Sequence, residues 1–225
     1  MYLLPSQKKL IYRLPFYEPM TVFTDLLIVF FSIWFGRIVQ MWFTVKLMEV
    51  HFHFSNYFFF IALTASFGAI FHSLNPAYDS IRNVLWKITM LSMAVSIFTL
   101  ILGTLYYWLP FDKVQWVKWI IFVLIVPIIL WFYVDTQLMN AVKLYIPSAL
   151  FVVIIMAYGW LGKGDEGAAL LMAGLLVNLF GASFLVTKIG FHQHFNHNDI
   201  FHIIQIGGLV LMYRGVMLIT NHGMK

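Results

Sequence analysis

A chain of 225 residues that is 62% hydrophobic and only 10% charged has too little polar surface to face water as a soluble domain, in which charged residues make up roughly 25%. Its formal charge of +5 is scattered over the connections, unlike the concentrated basic face of a nucleic-acid binder. The absence of cysteine removes disulfides and thiolate ligands, so any metal would be held by imidazole and carboxylate. An integral, multi-pass membrane protein is what remains.

Apolar runs of about 20 residues predict helices that cross a bilayer, not barrel strands. Seven are expected, over residues 22–45, 57–74, 84–109, 116–134, 141–161, 168–187 and 199–220. This is an all-α, seven-transmembrane-helix bundle forming a single domain. Residues 1–20 carry Lys8, Lys9 and Arg13, but Pro15, Glu18 and Pro19 interrupt the approach to the first run. That stretch reads as an interfacial segment ahead of a retained span, not as a cleaved signal. The connections are short and hold Asn75-Pro76, Pro110, and Gly162 with Gly164. Trp and Tyr gather at several predicted ends, as an aromatic belt requires. Pro127 and Pro147 fall within spans, where neighbouring groups can satisfy the freed carbonyls. A cytoplasmic N-terminus puts Lys8, Lys9, Arg13, Arg82, Lys87, Lys143 and Lys188 inside, against Lys46, Lys113, Lys118, Lys163 and Lys225 outside. With Arg37 and Arg214, which lie deeper in the outer halves, left out of the count, the positive-inside rule favours that orientation.

Four of the eight histidines lie in residues 191–202, immediately before the last span. Seven antiparallel spans place the end of span two, the start of span three and the start of span seven on one side, whatever the orientation. His72, Asp79, Arg82, Lys87 and the stretch His192 to His202 therefore share one membrane face. His51, His53 and His222 are expected at the opposite face, the first two in the connection between spans one and two. Asn198 and Asp199 lie four and three residues before His202, so each shares a helical face with it, and Gln205 continues the stripe. His197, five residues away, converges only if the helix begins after it. On span two, Thr64, Gly68 and His72 make a stripe that lets a neighbouring helix approach closely. Asn198-Asp199 also suits a helix cap with a first-turn acid, and His192 and His194 read as loop residues. An ionisable residue inside a membrane is a functional candidate by default, which singles out His72 and His202.

This arrangement resembles the CREST superfamily, the group of alkaline ceramidases, progestin and adiponectin receptors and GPI-remodelling hydrolases. The likeness rests on seven spans, a histidine closing span two, and the polar-aromatic-His entry Asn198-Asp199-Ile200-Phe201-His202 to span seven. It implies a three-histidine zinc site, a serine and an aspartate near one membrane face, and hydrolysis of a lipid amide or ester. Carried onto this sequence, the span-two histidine falls on His72, with Gly68 four residues before it and Ser66 as the nearest serine. The second histidine of span seven falls on His202. Asn198 occupies the place of the first, with His197 one residue earlier, and Asp79 is the aspartate nearest the expected place.

The expected function is thus a membrane hydrolase with zinc on His72, His202 and His197 or His194, lowering the pKa of bound water to about 7. Asp79 or Asp199 would take the proton or orient a ligand. Ser66 would stabilise an oxyanion, although it sits about 120° around the helix from His72. The membrane lipid is both solvent and substrate. Two other readings stand beside it: a receptor-like or scaffold protein without a metal, and a solute or proton path through His72, Lys87, His202 and Gln205.

Overall fold

The computed structural model describes residues 16–192 and 195–219. They form seven helices, each long and apolar enough to cross a membrane. In chain order these are α1 (Pro19–Lys46), α2 (Glu49–Ser73), α3 (Asp79–Trp108), α4 (Phe111–Val134), α5 (Leu138–Lys163), α6 (Glu166–Thr187) and α7 (His197–Leu218). The fold is the all-α seven-helix bundle that the apolar runs predict.

The helix starts carry the signals that short connections need. Asp165 caps α6 by accepting from Ala168 N at 3.2 Å. At α7, Asn198 N donates to Asn196 Oδ1 and Asn196 N donates to Asp199 Oδ2, both at 2.7 Å; this reciprocal box satisfies donors that would otherwise be orphaned. Gly164 ends α5 at φ +68°, a conformation glycine adopts without a Cβ penalty.

All seven helices begin two to eight residues before the expected starts, and two of these shifts move histidines. α2 begins at Glu49, eight residues before the expected start, because α1 and α2 are joined by Leu47 and Met48 alone. His51 and His53 therefore lie in the first turns of α2 and not in a connection. Glu49, His51, His53, Ser55 and Asn56 lower the hydropathy of this stretch, yet it is largely buried in the bundle: His51 is 1% exposed, and the His53 ring stacks on Tyr106 at 4.9 Å. α7 begins at His197, two residues early, because Asn196 and not Asn198 is its cap.

Six helices close a ring in the order α1, α2, α3, α5, α6, α7 and back to α1, with α4 packed outside against α3. Only Val114 and Phe132 of α4 are buried, and Phe132 joins Met90, Ala94 and Ala141 in a small core of its own. The remainder of α4 offers its apolar side chains to lipid.

The tightest seam joins α6 and α7. Gly174 faces Gly208, and Gly167 faces Gly215; a Cβ on Gly174 would fall 2.5 Å from Gly208 O, and one on Gly215 would fall 2.6 Å from Leu171 N. Without side chains between them the two backbones touch, the small-residue route to helix association in a bilayer. Gly207, one position along, has nothing within 4 Å of an added Cβ. Gly174→Leu is expected to destabilise the detergent-solubilised protein by at least the 1–3 kcal/mol typical of overpacking, while Gly207→Leu leaves the melting temperature near wild type. Equal melting of the two variants would refute this seam.

Candidate functional site

The ring encloses a cavity of about 380 Å³ that all six of its helices line and α4 does not. Its mouth lies at the face holding the start of α1, the end of α2 and the start of α7, where Asp25, His72, His197, Asn198 and His202 reach it. Deeper down, Ile28, Ile61, Met90, Met93 and Ile97 make it apolar, and Tyr57 and Asn178 line its inner part. Polar groups at one end and a long apolar body are the features of a site for an amphipathic molecule.

The centre of the polar end is a contact between the first helix and the last. Asp25 and His202 are buried, their side chains 5% and 12% exposed, with Asp25 Oδ1 3.5 Å from His202 Nε2. The other ring nitrogen, Nδ1, lies 2.9 Å from Thr24 Oγ1. With the Thr24 hydroxyl proton on Thr21 O, 3.1 Å away, Nδ1 is the donor in that pair. Nε2 in that tautomer turns its lone pair toward a carboxylate oxygen, an arrangement that favours one proton on the carboxyl or on the ring. Asp25 Oδ2 is buried without a hydrogen-bond partner among the described residues. It fits there because position 68 is glycine: a Cβ on Gly68 would lie 3.3 Å from Oδ2.

A second contact guards the rim. Tyr17 N and Glu18 N donate to Ser73 O and His72 O, both at 3.1 Å, closing the free carbonyls at the end of α2. His72 Nδ1 lies 2.8 Å from Glu18 Oε2. Arg82 donates to Phe71 O at 2.9 Å and to Leu74 O at 2.6 Å. Burial raises the pKa of Glu18, but the hydrogen bond and charge of His72, with smaller contributions from Arg82 and His197, outweigh it and hold the carboxyl below its ordinary value.

The residues singled out from sequence fall into distinct places. His72, His197 and His202 all line the cavity, together with Gln205. Asp199 is fully buried and has both oxygens engaged, Oδ1 by Thr21 Oγ1 at 2.8 Å and Oδ2 by Asn196 N; it clasps α1 to α7. Ser66 donates to Ala62 O at 2.7 Å on its own helix and does not line the cavity. Asp79 is exposed in the first turn of α3. His192 is exposed, while His194 and His222 lie outside the described residues.

Zinc on His72, His197 and His202 would need three ligand nitrogens converging at about 2.0–2.1 Å from one point. Among the described residues, no three His, Cys, Asp or Glu side chains are grouped to hold a metal ion. The imidazoles are turned to protein partners instead: His72 to Glu18, His202 to Thr24 and Asp25. Among the described residues the donor set does not fit a three-ligand zinc centre; His194, the other candidate ligand, lies outside them.

Sequence reasoning passed over Asp25, Glu18, Thr21 and Thr24, although a signal was present. Asp25 is the one acidic residue between Glu18 and Glu49, inside an apolar run where a carboxylate needs a reason. Thr21, Asp25, Ile28 and Ser32 recur at helical spacing and are all buried, and the parity that collects His72 and His202 puts the start of α1 on the same side.

Fold and site together define a polytopic membrane protein whose helices enclose a cavity with a carboxyl and an imidazole side by side at its polar end. The chain belongs to the DUF6962 family, a family of unknown function, which it matches over residues 20–221. No curated protein matches it.

The lowered Glu18 pKa has a consequence for stability. A carboxylate held below its ordinary value stabilises the fold above that value and ceases to do so as the pH falls through the lowered one. Glu18→Gln is therefore expected to melt below wild type at neutral pH and to converge with it in strong acid. Parallel melting curves across that range would show that the His72 contact adds no stability.

Proposed function

We propose that this protein is a membrane-embedded hydrolase that cleaves an ester or amide of a single-chain membrane amphiphile by general acid–base catalysis. The observation that carries the reading is the approach of Asp25 to His202 at the polar end of an apolar cavity, a pair able to hold and pass one proton. The cavity hydroxyls of Thr64, Thr89 and Ser96 donate to carbonyls of their own helices, which favours water over a side chain as the nucleophile. Water beside the unpartnered Asp25 Oδ2 gives a proton to the pair as its oxygen adds to the substrate carbonyl. The pair then returns that proton to the leaving alkoxide or amine as the carbonyl bond to it breaks. The products are a carboxylic acid and an alcohol or amine. No step requires a metal.

The depth of the cavity supports a substrate with one long chain. Tyr57 and His72 both line it, fifteen residues apart on α2 and so about 22 Å. That matches an extended chain of about 16–18 carbons joined by 1.5 Å bonds. With the N-terminal face cytoplasmic, as its basic residues favour, the polar mouth opens on the cytoplasmic side.

A second reading, a receptor-like binder without turnover, is favoured by the same engaged hydroxyls and by the closed Glu18–His72 rim. The two separate in one assay. Protein in vesicles is given single-chain esters and amides and the released acid is measured. Turnover should fall by about 10²–10⁴ in Asp25→Asn and His202→Ala, the range a general acid–base group supplies, and persist in the presence of chelator. Saturable binding without acid release would establish the receptor-like reading, and loss of activity on chelation would restore a metal to the mechanism.

A further inference from the structure

The cavity wall formed by α7 differs chemically from the wall opposite. Asn198, His202 and Gln205 stand at positions i, i+4 and i+7 on one helical face, and all three line the cavity. They cover about 10 Å of depth below the mouth. The side-chain amides of Asn198 and Gln205 make no hydrogen bond to protein among the described residues, and the unpartnered Asp25 Oδ2 lies at the same level of the bundle. On α2 and α3, Ile61, Met90, Met93 and Ile97 are apolar, and the hydroxyls of Thr64, Thr89 and Ser96 are turned to carbonyls of their own helices. An amide at a cavity wall without a protein partner is available to a ligand's donor or acceptor.

Two cations at the start of α3 are engaged elsewhere. Among the described residues, no lysine or arginine lines the cavity. The Arg82 guanidinium caps the α2 carbonyls and lies 4.1 Å over the Phe71 ring. Lys87 lies 4.3 Å over the Tyr133 ring. A phosphate entering here would lose its hydration with no lysine or arginine among the described lining residues to replace it, and a buried charge without a partner is strongly disfavoured.

We infer that the α7 wall is a head-group subsite for uncharged amphiphiles whose heads carry several hydroxyl or amide groups, and that it excludes phosphorylated heads. Asn198 and Gln205 are its specificity-determining residues: each amide offers both a donor and an acceptor to a head lying along α7, while the chain follows the apolar wall inward. The inference rests on the cavity as the place where a single-chain amphiphile binds, but not on its being cleaved there.

The test uses ethers, which no hydrolase of esters or amides can turn over, so that its outcome is independent of the catalytic reading. Binding of 1-O-hexadecylglycerol, its 3-phosphate and hexadecyl methyl ether is measured on the purified full-length protein. The glycerol ether should bind at least about tenfold tighter than the phosphate, a difference of one hydrogen bond's order. Asn198→Leu with Gln205→Leu should weaken the glycerol ether about tenfold and leave the methyl ether, which reports an intact cavity, unchanged. Phosphate binding equal to or tighter than the neutral head would overturn the inference, as would a double variant that binds the glycerol ether like wild type. If the double variant loses the methyl ether as well, Gln205→Leu alone, which leaves the start of α7 untouched, decides by the same criterion.

Discussion

A carboxylate buried within a membrane-spanning bundle is costly unless it is paired or hydrogen-bonded, by about 2.5–3.5 kcal/mol at a helix centre on insertion scales. This chain buries two at one place, and in both cases the first helix meets the last. Asp199 of α7 is satisfied by Thr21 and by the backbone of Asn196, and Asp25 of α1 faces His202. These contacts close the six-helix ring at the mouth of the cavity. Further along the same seam, Phe35 stacks on Tyr213 at 4.5 Å. If the α1–α7 contacts failed, the cavity would open laterally to lipid and its polar end would lose the groups that define it.

The rest of the bundle is arranged to leave that polar end room. Gly68 gives the Asp25 carboxylate the space that a serine or alanine would contest. The glycine seam of α6 and α7 draws two backbones together, so the α7 wall is held without bulky side chains between the helices. Arg82 and Trp86 brace the rim from α3, Arg82 through the carbonyls of α2 and Trp86 through Thr136 O at 2.6 Å. The cavity thus combines a rigid frame with polar side chains that lack protein partners, the condition for recognising a ligand.

Much of this was legible in the amino-acid sequence. The seven apolar runs specify the helices, and the alternation of antiparallel spans brings His72 and His202 to one end without further information. Two things were hidden. Helix starts rich in polar residues, such as Glu49 to Asn56, do not look like membrane spans until the partners that bury them are known. Pairing was also hidden, because contacts such as Thr21 with Asp199 and Asp25 with His202 span more than 170 residues. Helical spacing on α7 links Asp199 to His202 but says nothing of what lies across from either. A histidine-rich stretch then reads as a ligand cluster, whereas Asp199 is a clasp, His197 opens a helix, and His202 pairs with a carboxylate from the opposite end of the chain.

The claim on which site and closure both depend is that Asp25 and His202 interact directly. A double-mutant cycle measures this without reference to any substrate, using unfolding free energies of wild type, Asp25→Asn, His202→Gln and the double variant in the same detergent. A direct contact predicts a coupling energy of at least about 1 kcal/mol, with the double variant less destabilised than the sum of the singles. Additivity within about 0.3–0.5 kcal/mol, the behaviour of distant independent sites, would contradict the pairing of the first helix with the last.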